Sequence, residues 1–77
     1  MNTKVILFGS LTDMTGKSEL TMSDCIDTDT LKEKVLNEYP KLKETVFSIS
    51  VNKILIKNNQ KLETENEVAF LPPFAGG

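Results

Sequence analysis

Val68-Ala69-Phe70-Leu71-Pro72-Pro73 is the stretch on which the fold turns. Four apolar residues precede two prolines, which lack the backbone donor that a sheet needs, so the pattern is a strand with an abrupt stop. The chain holds a second run of this kind, Val5-Ile6-Leu7-Phe8, flanked by Lys4 and broken at Gly9. Side chains alternate along a strand, so Ile6 and Phe8 take one face and Val5 and Leu7 the other. Strands that are apolar on both faces lie where both faces are covered. The first and last strands are therefore placed side by side at the centre of a sheet, with a helix as one cover and a partner protein as the other.

Between them the remaining elements follow from local patterns. Leu11 to Gly16 reads as a short helical turn that stops at the glycine. In Ser18 to Met22, Leu20 and Met22 share one side and polar residues the other, as in a half-wet edge strand. Residues 24–30 are rich in capping side chains, and Thr28 is the expected N-cap of a helix running to about Tyr39. Leu31, Val35, Tyr39 and Leu42 form its apolar stripe, widened by Leu36. Lys34 and Glu38 are spaced to pair, and Pro40 ends the helix. Phe47, Ile49 and Val51 alternate with Ser48, Ser50 and Asn52, which predicts a half-buried strand. Asn52-Lys53 turns the chain into Ile54-Leu55-Ile56. Leu62 is a candidate core plug beneath a polar loop. The order β-β-α-β-β-β, with parallel first and last strands joined through a helical crossover, predicts an α+β fold of the β-grasp, ubiquitin-like type. Its mixed sheet would have four to five strands and one main helix on one face.

Composition narrows the function. The 77 residues make one small domain, too small to enclose substrate and cofactor together. They contain no His and one Cys, which leaves no Cys-His or Ser-His dyad within the chain and no zinc ligand set. Cys25 has acidic neighbours that disfavour a thiolate, so it reads as an inert thiol. The nine basic residues are all Lys and are dispersed among eleven acids. Without arginine forks or a basic patch, a nucleic-acid partner is not expected. No apolar run is long enough to span a bilayer, and a cytoplasmic location without a membrane partner is expected. Lys53, Lys57 and Lys61 read as solvated side chains, and Glu63, Glu65 and Glu67 as an acidic surface turn.

At the carboxyl end, Phe74-Ala75-Gly76-Gly77 follows the double proline. The domain is expected to span residues 1–73 and the tail residues 74–77. Two terminal glycines lack Cβ atoms and can thread a narrow channel in another protein. Pro72-Pro73 stiffens the exit so that the tail projects, and Phe74 can anchor in an apolar pocket. A terminal carboxylate is a poor electrophile until it is activated, so such an end implies an activating partner. Phe8, Ile6 and Leu71 form a candidate apolar docking patch, because one helix cannot cover both faces of a sheet. Terminal glycines also arise by chance or at a frayed end. The double proline, the apolar last strand and the topology together favour the carrier reading.

The stretch Glu67 to Gly77, with Val5-Ile6-Leu7-Phe8-Gly9-Ser10-Leu11, Thr15-Gly16, Thr28 with Leu31, and Ser50-Val51-Asn52, resembles the small subunit of molybdopterin synthase, a family of ubiquitin-like sulfur carriers. The resemblance covers essentially the whole chain and is most specific at the tail. It implies a cycle in which an adenylating enzyme uses ATP to activate the Gly77 carboxylate. A sulfur-donor system then converts it to a thiocarboxylate. Threaded by Gly76 into the large subunit of the synthase, the tail gives its sulfur to cyclic pyranopterin monophosphate, and the molybdopterin dithiolene forms. The resemblance implies a heterotetramer with the large subunit, no cofactor bound to the small subunit, and catalytic side chains in the large one. Pro72, Pro73, Phe74, Ala75 and Leu71, with Phe8 and Ile6, would bind partners. Two departures stand out: Glu65-Asn66-Glu67 replaces the usual glycine and aspartate, with Asn66 expected to take over the left-handed turn, and Phe74 replaces a smaller residue. Alternatives within reach are a carrier for thiamine synthesis or tRNA thiolation, a ubiquitin-like modifier of lysines, and a plain binding module.

Overall fold

The computed structural model describes residues 2–63 and 65–73. Strand β1 (Asn2–Leu7) leads into a short helix α1 (Ser10–Thr15), then β2 (Glu19–Ser23) and the main helix α2 (Thr28–Glu38). A 3-10 turn at Pro40–Glu44 follows, then β3 (Ser48–Val51), β4 (Ile54–Ile56) and β5 (Glu67–Leu71). The sheet order is β2-β1-β5-β3-β4. β1 and β5 run parallel, with Val5 beside Val68 and Leu7 beside Phe70, while β2, β3 and β4 pair antiparallel. This is the β-grasp arrangement, and it places the two most apolar strands together as expected.

The register sorts every strand residue onto one of two faces. Thr3, Val5 and Leu7, with Leu20 and Met22, Val68 and Phe70, and Val51, are buried beneath α2. Leu31 and Val35 of the helix and Leu42 of the 3-10 turn complete the core, all fully buried. Each such aliphatic or aromatic side chain contributes about 1.5–3 kcal/mol of burial free energy. Phe70 is the largest of them and stacks on Phe47 with ring centroids 4.7 Å apart. Leu62 is buried as expected. Leu42, expected at the end of the apolar stripe, lies beyond the helix in the 3-10 turn Pro40–Glu44, which carries it into the core.

Several local expectations change. The N-cap of α2 is Asp27, not Thr28: its carboxylate accepts from the Thr30 amide at 2.8 Å. Thr28 is otherwise engaged, since its hydroxyl donates to Asn59 Oδ1 and accepts from the Gln60 amide. Asn59 also accepts from the Asp29 amide at 2.8 Å and donates to Asp27 Oδ2 at 3.3 Å. Of the open amides of the first helical turn, those of Thr28 and Asp29 are thus met by a loop thirty residues away and that of Thr30 by Asp27. Lys34 reaches the Ser23 and Asp24 carbonyls, not the Glu38 carboxylate that its spacing suggested. The helix closes at Glu38 with Tyr39 as its cap, and β2 lies one residue later than expected.

Turn chemistry explains the loops. Gly16 sits at φ 75° and its amide returns to the Thr12 carbonyl at 2.8 Å, a left-handed helix stop. Asn52 and Lys53 both have positive φ, 50° and 71°, as a two-residue hairpin requires. Before β5 it is Glu65, at φ 72°, that takes the left-handed conformation, not Asn66. The Asn66 side chain instead accepts from the Glu63 amide, which spends its polar atom on holding the turn.

Candidate functional site: the open sheet face and the exit of the last strand

The second face of the sheet has no cover among the described residues. Register places Ile6, Ala69, Ser50 and Leu55 in one row across four strands, with Leu71 and Ser48 in the next row toward the exit of β5. Alternation brings Phe8, just beyond β1, to the same side. Phe8 is 46% exposed and Leu55 63%, and Ile6 and Leu71 are half-buried. The sequence-derived patch of Phe8, Ile6 and Leu71 is therefore one surface, and the structure adds exposed Leu55 to it, with buried Ala69 as its floor. Leu55 went unrecognised because a three-residue apolar strand carries no sign of which residue faces outward. Its pairing with Ser50 supplies that.

The patch is polarised. Its apolar end lies beside the exit of β5. Away from that exit Lys4 stands next to Glu67, and its ammonium lies 3.9 Å from Glu19. This exposed pair adds little stability, but it bounds the apolar area with charge, as the rim of a protein interface does.

Two polar contacts fix where β5 begins. Asn52 Oδ1 accepts from the Glu67 amide at 2.9 Å, and the Asn52 amide donates to the Glu67 carbonyl at 2.8 Å. The end of β5 is defined differently. The Phe8 amide donates to the Phe70 carbonyl at 3.2 Å, extending the parallel ladder one step past β1. Pro72 then removes the next donor, and the pairing stops. Pro72 is half-buried and Pro73 exposed. Phe74, Ala75, Gly76 and Gly77, the remaining expected site residues, lie outside the described residues, and so does any geometry of the 74–77 tail.

The described residues contain no group of three metal-ligating side chains. Cys25 is fully buried, and burial pushes its thiol above the ordinary range, with Asp24 and Asp27 adding to the effect against an opposing Lys34. It behaves as a small core hydrophobe. Asp27 moves the other way, its carboxylate held below the usual range first by the Thr30 side chain, then by the Thr30 amide and Asn59. Among the described residues no helix is long and apolar enough to cross a membrane.

A model of the ThiS family matches residues 5–77. The chain belongs to the ThiS family. It is 31% identical to the molybdopterin synthase sulfur carrier subunit of Caenorhabditis briggsae over 83 residues, an alignment that covers 100% of this chain and 99% of that protein. Its fold is similar to that of a chain in the complex of subunits 1 and 2 of the molybdopterin-converting factor from Helicobacter pylori, with a TM-score of 0.76, 30% identity and 100% of both chains covered. It is also similar to small archaeal modifier protein 1 of Methanosarcina acetivorans, with a TM-score of 0.85 and 25% identity over 99% of this ThiS-family chain and 96% of that one.

Proposed function

We propose that this ThiS-family chain is the sulfur carrier subunit of molybdopterin synthase. The observation that carries the reading is the course of β5: it runs through the middle of the sheet and ends at Pro72-Pro73 beside an uncovered apolar face, four residues in sequence before the carboxyl end. A partner docked on Ile6, Leu71 and Phe8 would receive the tail at the rim of its own footprint. Docking through the body makes the later transfer effectively intramolecular.

In the proposed cycle the Gly77 carboxylate attacks the α-phosphorus of ATP on an adenylating enzyme, releasing pyrophosphate and forming an acyl-adenylate. A sulfur donor displaces AMP and leaves a thiocarboxylate. The large synthase subunit then takes up the tail, the sulfur passes to cyclic pyranopterin monophosphate, water restores the Gly77 carboxylate, and a second thiocarboxylate supplies the second sulfur of the dithiolene. This chain supplies the carried sulfur and the docking surface, and the large subunit supplies the catalytic side chains. ATP serves the activating enzyme, with no cofactor bound to the carrier. The relatives named as carrier subunits support the molybdopterin branch over thiamine synthesis or tRNA thiolation. The likeness to an archaeal modifier protein supports, as a second reading, conjugation of the same carboxyl end to lysines.

Intact-mass measurement of the protein purified from its own cells tests these readings. A species heavier by the replacement of one oxygen with sulfur, together with copurifying large subunit, is the expected result. Isopeptide-linked products without that species would favour the modifier reading. Restoration of molybdopterin formation by a chain lacking Gly77 would overturn the cycle.

A further inference from the structure

We infer that Gly9 is a positioning residue for the carboxyl tail, setting the line along which the chain leaves β5 at Pro72. The inference deepens the carrier reading and rests on it. Gly9 joins β1 to α1 with φ 55° and ψ −133°, a conformation reserved in practice for glycine. A Cβ at this position would stand 3.0 Å from Pro72 Cγ, 3.8 Å from its Cδ and 4.0 Å from its Cβ. The bare backbone of Gly9 is thus the seat on which the Pro72 ring rests.

The seat cannot back away. The Gly9 carbonyl accepts from the Thr12 amide at 3.0 Å, and the Phe8 carbonyl accepts from the Leu11 amide at 3.1 Å. The Thr12 hydroxyl also donates to the Leu7 carbonyl at 3.2 Å. On the other side, the Phe8 amide is tied to the Phe70 carbonyl, two residues before Pro72. Gly9 is therefore held from both directions. If a methyl group enters, the yielding element is the proline ring, which has no ladder bond of its own. Because the proline fixes its own φ, a tilt of the ring redirects everything that follows. The body of the domain and its apolar face stay in place, so docking is preserved while delivery of the carboxylate is not.

The test uses the full chain with its adenylating enzyme, read as ATP–pyrophosphate exchange over a range of carrier concentrations, with thermal melts to verify folding. Gly9→Ala is expected to lower kcat by about ten- to a hundredfold, the scale set by misplacing a reacting group by about an ångström. KM is expected to change less than about threefold, because the docking face is untouched. In a Pro72→Ala background, where Cγ and Cδ are gone, Gly9→Ala is expected to cost less than about threefold more. Equal losses in both backgrounds would assign the effect to backbone strain and overturn the inference, as would no loss. Should Gly9→Ala fail to fold, Pro72→Ala alone removes the contact from the other side. Its kcat is expected to fall, and an unchanged kcat overturns the inference. In the unaltered protein, nuclear Overhauser contacts between the Gly9 α-protons and the Pro72 ring are expected, and their absence removes the seat itself. A wild-type chain that supports no exchange sinks the carrier reading. A wild-type chain that exchanges beside an equally active Gly9→Ala variant sinks only the role of Gly9.

Discussion

The two faces of the sheet are built from the same strands, and each carries apolar side chains at its centre, yet among the described residues only one is closed. Phe70 and Leu71 are adjacent in β5. Phe70 is fully buried under α2 and stacked on Phe47, whereas Leu71 is half-buried on the uncovered side. Val5 is fully buried on one side of β1, and Ile6 lies half-buried on the other. The difference teaches that apolar character in this protein has two uses. On the covered face it holds the domain together. On the open face we propose that it is surface for the partner, and it is expected to cost the isolated domain little to change.

The sharpest way to break this comparison is to alter one residue on each face. Phe70→Ala is expected to destabilise the domain by about 3–5 kcal/mol, through lost burial and the cavity left beside Phe47. An unaltered denaturant midpoint would place Phe70 outside the core. Ile6→Lys is expected to leave the midpoint within about 1 kcal/mol of wild type. It should weaken binding to the large synthase subunit by about 2 kcal/mol or more, roughly thirtyfold in Kd, as measured by calorimetry. Equal effects of the two changes on stability would mean that both faces are structural.

Smaller tests sharpen the covered side. The carboxylate of Asp27 is stabilised in the folded state, so its pKa lies below the unfolded value. Its contribution is present above the unfolded pKa, near pH ~4, and is lost as pH falls through the folded one. Asp27→Asn is expected to flatten the acid limb of a melting-temperature profile while leaving the neutral plateau little changed. An acid limb identical to wild type would show that the latch between α2 and the 57–62 loop does not depend on that charge. The smallest effect is expected at the hairpin between β3 and β4. Lys53 occupies a left-handed conformation at φ 71°, and Lys53→Gly should stabilise by about 0.5–1 kcal/mol in urea unfolding. A destabilised variant would show that the lysine side chain contributes more there than its backbone strain costs.

The sequence by itself determined the class of fold, the central pair of strands, the stripe Leu31–Val35 and the core position of Leu62. These follow from alternation and helical spacing, which are local properties written into neighbouring residues. It also carried the patch residues Ile6, Phe8 and Leu71, because an α+β domain with one helix must leave a sheet face open. What it could not determine depended on atoms distant in the chain. Thr28 and Asp27 are equally good caps in isolation, and the choice between them was made by Asn59 and Gln60, thirty residues later. Asn66 and Glu65 can each be assigned the left-handed turn, and the choice was made by where the asparagine side chain found a donor. Gly9 read only as the end of a strand. Its packing against Pro72, sixty-three positions away, exists because β1 and β5 run parallel and finish level with each other. Tertiary structure decided these points because each is a contact between segments whose nearness no local pattern encodes.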